Sequence, residues 1–345
     1  MRNKLVIFSF IGSTIAPATL ATTHFPFPIA LFSFILAFSV VIMTYFLVKV
    51  EWKEGGLSIY VERIGKIPYL VFIVSWITSY YLYVIYTVVY IPYYVLNLDG
   101  LEAIILTVII SVSVYLLAIM RKAIYAFPFI FFSQVALVLP IGWKVSISHV
   151  PLPITSLFTN ILSSSLITVC ITLSTFINGD KSFSNYIPIA YMIGGSMLFY
   201  SSFLSPNIIS SYGVAIGNYG LILAELYALN NLLEYRGIST KVRGLLNTLI
   251  IPFSLIGNLN YSLFYNTLIV PSLVALYLSL SVLSFSSVKL LGKLLLPATL
   301  TSLALFIYGE YAILSSSFEA IISILLILFV IIILFLFERK LGKVL

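Results

Sequence analysis

The run Leu5-Val6-Ile7-Phe8-Ser9-Phe10-Ile11-Gly12-Ser13-Thr14-Ile15-Ala16-Pro17-Ala18-Thr19-Leu20-Ala21-Thr22 has the length and apolarity of a membrane helix, but its middle is built to fail as one. Gly12, Ser13 and Thr14 weaken the intrahelical ladder, and Pro17 removes an N–H and clashes with the preceding turn. An unpaired backbone group in hydrocarbon costs several kcal/mol. Such a break therefore survives only where protein buries it or where it lines a cavity. A discontinuous helix with its peptide groups exposed at mid-depth is one way a membrane protein holds a solute.

The rest of the chain has the composition of a membrane protein. Hydrophobic residues make up 61% of its 345 positions and charged residues 8%, with a mean hydropathy of +1.14. That excludes an ordinary soluble domain. Met1-Arg2-Asn3-Lys4 leads straight into the apolar run, with no small-residue cleavage site ahead of a soluble domain, so no signal peptide is expected. A single cysteine, Cys170, rules out an internal disulfide framework and reads as a small packing residue. His24 and His149 lie far apart in expected loops, so neither a metal nor any other cofactor is expected.

Walking the chain for apolar stretches of about 20 residues gives twelve candidate spans, near 5–22, 27–49, 67–96, 101–120, 123–142, 153–177, 186–204, 212–233, 243–259, 263–287, 292–312 and 317–337. Connections are short, and only Asn258, Asn260 and Tyr261 separate the ninth span from the tenth. With the N-terminus inside, this count places every lysine and arginine on the cytoplasmic side except Lys144, one of 18. An odd count would spoil that partition. A multi-pass protein of the cell membrane with both termini cytoplasmic is the expectation. The net charge of +7 then reflects topology and contact with anionic lipid, and nucleic acid is not an expected partner.

Tyr45, Tyr69, Tyr93, Tyr94, Tyr186 and Tyr311 fall near span ends and read as an interfacial belt. Trp76, Tyr80, Tyr83, Thr87 and Tyr90 differ, because three- and four-residue spacing puts them on one face of the third span. They are either packing groups between helices or the wall of a cavity. Gly194-Gly195 reads as a point of close helix contact. Pro92, Pro128, Pro252, Pro271 and Pro297 read as kinks or helix ends.

Glu54-Gly55-Gly56-Leu57-Ser58-Ile59-Tyr60-Val61-Glu62-Arg63-Ile64-Gly65 resembles the first cytoplasmic loop of the amino acid/polyamine/organocation permeases. Ile11-Gly12-Ser13-Thr14-Ile15 is similar to that family's glycine-rich break in helix one. Lys181 to Asn185, followed by Ile187-Pro188-Ile189-Ala190, resembles its basic loop leading into helix seven. The resemblance implies a LeuT-type fold of twelve helices: two inverted repeats of five, roughly 1–142 and 153–287, then two extra helices over 292–337. Helices one and six would be discontinuous, and the whole chain would form one transport domain.

Helix six carries the matching polar cluster, Asn160-Ile161-Leu162-Ser163-Ser164-Ser165-Leu166-Ile167-Thr168. Consecutive serines compete for backbone hydrogen bonds and favour a break. On this reading, N–H groups near Thr14 and Ile15 face a carboxylate and carbonyls near Ser163 to Ser165 face an ammonium. Gly12, Ser13, Thr14, Ile15, Tyr80, Tyr83, Ser163, Ser164, Ser165 and Thr168 become the expected substrate-binding set. Two departures from the family stand out: Thr14 replaces a glycine, and Ser-Ser-Ser-Leu-Ile replaces an aromatic or glycine-rich sequence.

Glu225 is the carboxylate placed deepest in a span; Glu102, Glu310 and Glu319 sit near span ends, where water or headgroups reach. A carboxylate within a membrane span commonly marks a proton or ion pathway. Glu225, with Asn218 beside Gly217, is the expected site of coupling to H+ or Na+. The alternative for Glu225 is a structural role, hydrogen-bonded to a neighbouring helix. The resulting expectation is a secondary permease, not an enzyme, moving amino acids or related organic amines by alternating access. A non-transporting solute receptor or membrane assembly subunit on the same fold is the alternative.

Overall fold

The computed structural model describes residues 4–120, 123–139, 154–177, 179–203 and 207–341, with backbone alone for 123, 154, 155 and 337–341. Lys144 and His149 lie outside the described residues, as do Arg2, Arg121, Lys122 and Lys343 and the side chains of Arg339 and Lys340. Every described element is helical. Eight helices are long and apolar enough to cross a membrane, and Lys4–Thr14 and Phe127–Val138 are shorter apolar helices. The chain is an all-helical, multi-pass membrane protein.

The order is α1 (Lys4–Thr14), α2 (Pro17–Ala21), α3 (Phe27–Val50), α4 (Ser58–Glu62), α5 (Lys66–Tyr90), α6 (Gly100–Ile119), α7 (Phe127–Val138) and α8 (Ile154–Ser165). It continues with α9 (Tyr186–Gly195), α10 (Met197–Ser201), α11 (Ile208–Tyr235), α12 (Thr240–Gly257), α13 (Tyr261–Leu291), α14 (Leu296–Ser316) and α15 (Phe318–Leu341). The expected seventh span is thus the pair α9 and α10, and the ninth is the more polar α12. Two helices change winding along their length. α5 passes into a π-helical turn over Ile91–Val95, where Pro92 supplies no N–H and Leu96 N–H reaches back to the Ile91 carbonyl at 3.1 Å. α8 passes into a 3-10 helix over Leu166–Phe176.

Burial separates centre from rim. The apolar window of α11 is 78% buried, whereas that of α15 is 22% buried, so α11 is the hub and α15 turns Leu325, Leu326, Phe329 and Ile332 outward. Small residues let the hub sit close to its neighbours. A Cβ added at Gly213, Gly217 or Gly220 would fall 2.9 Å from Val138 Cγ2, 2.8 Å from Gln134 Oε1 and 2.5 Å from Ile130 Cγ2, all on α7. Gly194 admits the break of the first span in the same way, with Pro17 Cγ 3.3 Å from its Cβ position, while Gly195 makes room for the Phe34 ring of α3, 3.1 Å from its own.

Charged side chains gather at one end of the bundle. Arg236 pairs with Glu62 at 2.9 Å, Arg243 with Glu234 at 2.8 Å, and Lys181 Nζ donates to the Val50 carbonyl at 2.7 Å. The loop carrying Gly55 and Gly56 is locked into the same end. Gly56 adopts φ +54°, in the left-handed region, and a Cβ there would lie 2.2 Å from Phe176 Cδ1. Trp52 Nε1 donates to the Ser174 carbonyl at 3.1 Å, tying this loop to the 3-10 segment.

Candidate functional site

The first span breaks three residues beyond Gly12. α1 continues through Gly12-Ser13-Thr14, and the chain turns at Ile15-Ala16, where Ala16 takes φ 48° and ψ 64°. Pro17 explains the position: it cannot donate to the preceding turn, and it favours the first position of a new helix. The amides of Ile15 and Ala16 bond to the carbonyls of Gly12 and Ser13 at 3.2 Å each, and Thr14 Oγ1 donates to the Ile11 carbonyl at 2.7 Å. The free N–H groups expected near Thr14 and Ile15 are therefore occupied. The carbonyls of Thr14 and Ile15 accept no hydrogen bond from any described residue.

The short helix after the break is held from α7. Gln134 Oε1 accepts from the Ala18 N–H at 3.3 Å, and Gln134 is fully buried. From α11, Asn218 Nδ2 donates to Thr19 Oγ1 at 3.3 Å and to the Val214 carbonyl at 2.9 Å. Neither Gln134 nor Thr19 was among the expected site residues. The available signal for Gln134 was its being the chain's only glutamine, placed inside an apolar span.

The sixth span does not open into coil. At Ser165 to Leu166 its winding tightens from α to 3-10 and stays helical to Phe176. The serines answer one another's backbone: Ser164 Oγ donates to the Asn160 carbonyl at 2.6 Å and Ser165 Oγ to the Ile161 carbonyl at 2.7 Å. Ser165 Oγ also lies 3.3 Å from the Ser33 carbonyl on α3. Thr168, Thr172 and Thr175 each donate three residues back, at 3.2, 2.8 and 2.8 Å. These bonds explain how the span tightens without unwinding. Eleven residues of 3-10 helix is long for that form, which usually stops after three or four.

Between the break and this switch lies a cavity of about 220 Å³. Thr14, Ile15, Ala16 and Thr19 line it from the first span, and Ser163, Leu166, Val169 and Cys170 from the sixth. Tyr83 closes it from α5, Asn218 and Leu221 from α11, and Tyr277 from α13. Of the expected residues, Thr14, Ile15, Tyr83, Ser163 and Asn218 meet at this wall. Gly12, Ser13, Tyr80, Ser164, Ser165, Thr168 and Glu225 are not among the residues that line it. Gly12 packs on Phe131, whose Cε2 would be 2.4 Å from an added Cβ, and the Tyr80 ring packs against Trp76 at 4.5 Å with the planes tilted by 50°.

Glu225 lies behind the wall, wholly buried, with neither oxygen bonded to a described residue. Glu310, expected near water, also has both carboxylate oxygens buried and without a described hydrogen-bond partner. A second cavity, about 230 Å³, opens at the charged end among Asn230, Glu234, Arg243 and Asn247. Its polar groups pair with each other, Arg243 with Glu234 at 2.8 Å and the two asparagine amides at 3.1 and 3.4 Å, so it reads as a cross-linked helix end.

Compared with known proteins, the chain matches no family model, and no curated protein matches it. No group of three or more metal-binding side chains occurs among the described residues.

Proposed function

We propose that this protein is a secondary carrier, not an enzyme, that moves amino acids or related organic amines across the cell membrane by alternating access. The observation that carries the reading is the cavity at the broken first span, walled by the sixth, third, eighth and tenth spans in chain order. A backbone break is costly in lipid unless protein buries it or it lines a cavity. Here it opens on a space sized for a small solute. On this reading α1 with α2, α7, the α9–α10 pair and α12 join the eight long helices to complete a set of twelve crossings with both termini cytoplasmic. The LeuT-type repeat and the kinship with the amino acid/polyamine/organocation permeases belong to the same proposal, resting on the motifs quoted above.

Glu225 and Asn218 are the coupling residues in this scheme. Asn218 bonds to Thr19 beside the break, and Glu225 sits about two turns further along α11, wholly buried and with neither oxygen hydrogen-bonded to a described residue. A carboxylate held out of water gains or loses a proton as its surroundings open and close, which suits H+ coupling. Counterflow of radiolabelled amino acids and amines into proteoliposomes tests the whole reading. Solute binding without counterflow would make the protein a receptor. Uptake by Glu225→Gln that kept the wild-type response to an imposed pH gradient would remove the proton role.

A further inference from the structure

A buried glycine on α14 stands behind the cavity without lining it. An added Cβ at Gly309 would lie 2.9 Å from Tyr277 Cδ2 and 3.0 Å from Leu166 Cδ1. Both of those side chains do line the cavity, Tyr277 from α13 and Leu166 at the switch in winding of the sixth span. The missing side chain thus lets two wall residues from different spans recede onto α14 at one point. Two other glycines back the same cavity less closely. A Cβ at Gly194 would meet Ile15 Cδ1 at 3.4 Å and one at Gly217 would meet Thr19 Oγ1 at 3.5 Å, both ordinary contact distances.

The direction in which Tyr277 and Leu166 can yield is set by packing. They are 7% and 8% exposed, so protein surrounds them on their remaining sides. A close-packed interior takes up an extra methyl by displacing atoms into open space. The open space beside these two side chains is the cavity. A methyl at position 309 therefore drives the wall inward by a few tenths of an ångström. Leu273 and Leu276 adjoin Tyr277 in the lining, which makes this an apolar surface for the hydrocarbon part of a solute. Thr14, Thr19 and Asn218 supply polar groups elsewhere in the lining.

Resting on the carrier reading, we infer that Gly309 sets the largest hydrocarbon group the cavity admits. It is a positioning residue for solute size, acting through Tyr277 and Leu166.

Two pairs of solutes isolate size from head group: alanine with leucine, and ethylamine with 3-methylbutylamine. Within each pair the polar group is constant and the hydrocarbon grows from methyl to isobutyl. Counterflow of each radiolabelled solute is measured with the full-length protein in proteoliposomes, and binding by ligand-induced thermal shift. Wild type is expected to carry the larger member of a transported pair at least as well as the smaller. Gly309→Ala should raise the KM of the larger member about tenfold, the scale on which a pocket discriminates a methylene, and change that of the smaller by less than about twofold. Adding Leu166→Val to Gly309→Ala should restore the larger member, since both changes act on one contact. A general folding defect would impair both members alike. Leu166→Val alone should shift preference towards the larger member, which keeps the test decisive if Gly309→Ala fails to fold. A ratio of the two KM values that neither variant moves, or a wild type that carries only the smaller member, overturns the size assignment and leaves the carrier standing. Binding and counterflow absent for all four solutes overturn both.

Discussion

Gln134 Oε1 accepts a hydrogen bond from the Ala18 N–H at 3.3 Å, so the helix restarting after the break in the first span is anchored to α7 across 116 residues of sequence. Removing the acceptor leaves a buried amide unpaired, a loss of about 1–3 kcal/mol. Gln134→Leu should lower the melting temperature of the purified protein and reduce solute uptake, while Gln134→Glu, which keeps an acceptor, should retain more of both. Equal stability of the leucine variant and wild type in a fluorescence melt would contradict this anchoring role.

Gly217 faces the same oxygen. An added Cβ would sit 2.8 Å from Gln134 Oε1 and 3.5 Å from Thr19 Oγ1. Gly217→Ala should therefore push Gln134 off Ala18 and reproduce the Gln134→Leu phenotype. Because both changes act on one bond, the double variant should be less impaired than the sum of the two. Strict additivity in melting experiments would show that they act separately.

Ala16 occupies left-handed backbone space at φ 48°, where a side chain costs about 1–2 kcal/mol. Ala16→Gly removes that cost against a smaller entropic loss of about 0.4–1 kcal/mol. The glycine variant should melt at or slightly above the wild-type temperature and still transport. Ala16→Val, branched at Cβ, should be destabilised by more than about 1 kcal/mol and lose uptake. A valine variant with wild-type melting and uptake would mean that this turn relaxes freely.

Gly56 joins positive φ to contact with the Phe176 ring, so Gly56→Ala carries both backbone strain and overlap. A destabilisation of about 2 kcal/mol or more is expected, part of it recovered by Phe176→Leu in the same chain. Proteolysis of the loop in the two variants would follow that recovery; its absence would locate the penalty in the backbone alone.

Glu51 gives a pH signature outside the membrane-spanning helices. A hydrogen bond from Lys53, 2.5 Å away, and the charge of Arg63 hold its carboxyl below the ordinary value of 4.5. A lowered carboxylate stabilises the fold above its unfolded-state value and loses that contribution as pH falls through the folded-state value. Melting temperature should thus fall on acidification below about pH 4.5, and Glu51→Gln should flatten that part of the profile. An unchanged profile in Glu51→Gln would exclude this loop as its source.

The membrane class and the break in the first span were legible because each rests on local pattern, whereas the meeting of Thr14, Tyr83, Ser163 and Asn218 at one cavity is long-range packing that only the structure shows. Proline, glycine and apolar runs act within a turn or two. The details that escaped depend on partners far away in sequence. The break sits at Ala16 because Pro17 starts a helix there, and its amide is satisfied from α7. Ser163 to Ser165 suggested an opening, yet the hydroxyls of Ser164 and Ser165 bond to the preceding turn and the span stays wound. Glu310 looked wet from its place near a helix end. Packing of Gly309 on Tyr277 draws α14 inward and buries its oxygens.

Winding also sets length. A 3-10 helix rises about 2.0 Å per residue against about 1.5 Å for an α-helix. The eleven residues Leu166–Phe176 therefore reach about 5 Å further than they would in α form. Recoiling that segment would withdraw Phe176 by roughly one α-helical pitch, out of its stack with Trp76 at 4.3 Å and away from Gly56. The reach of the 3-10 form is thus what seats Phe176 between Trp76 and the Gly56 loop.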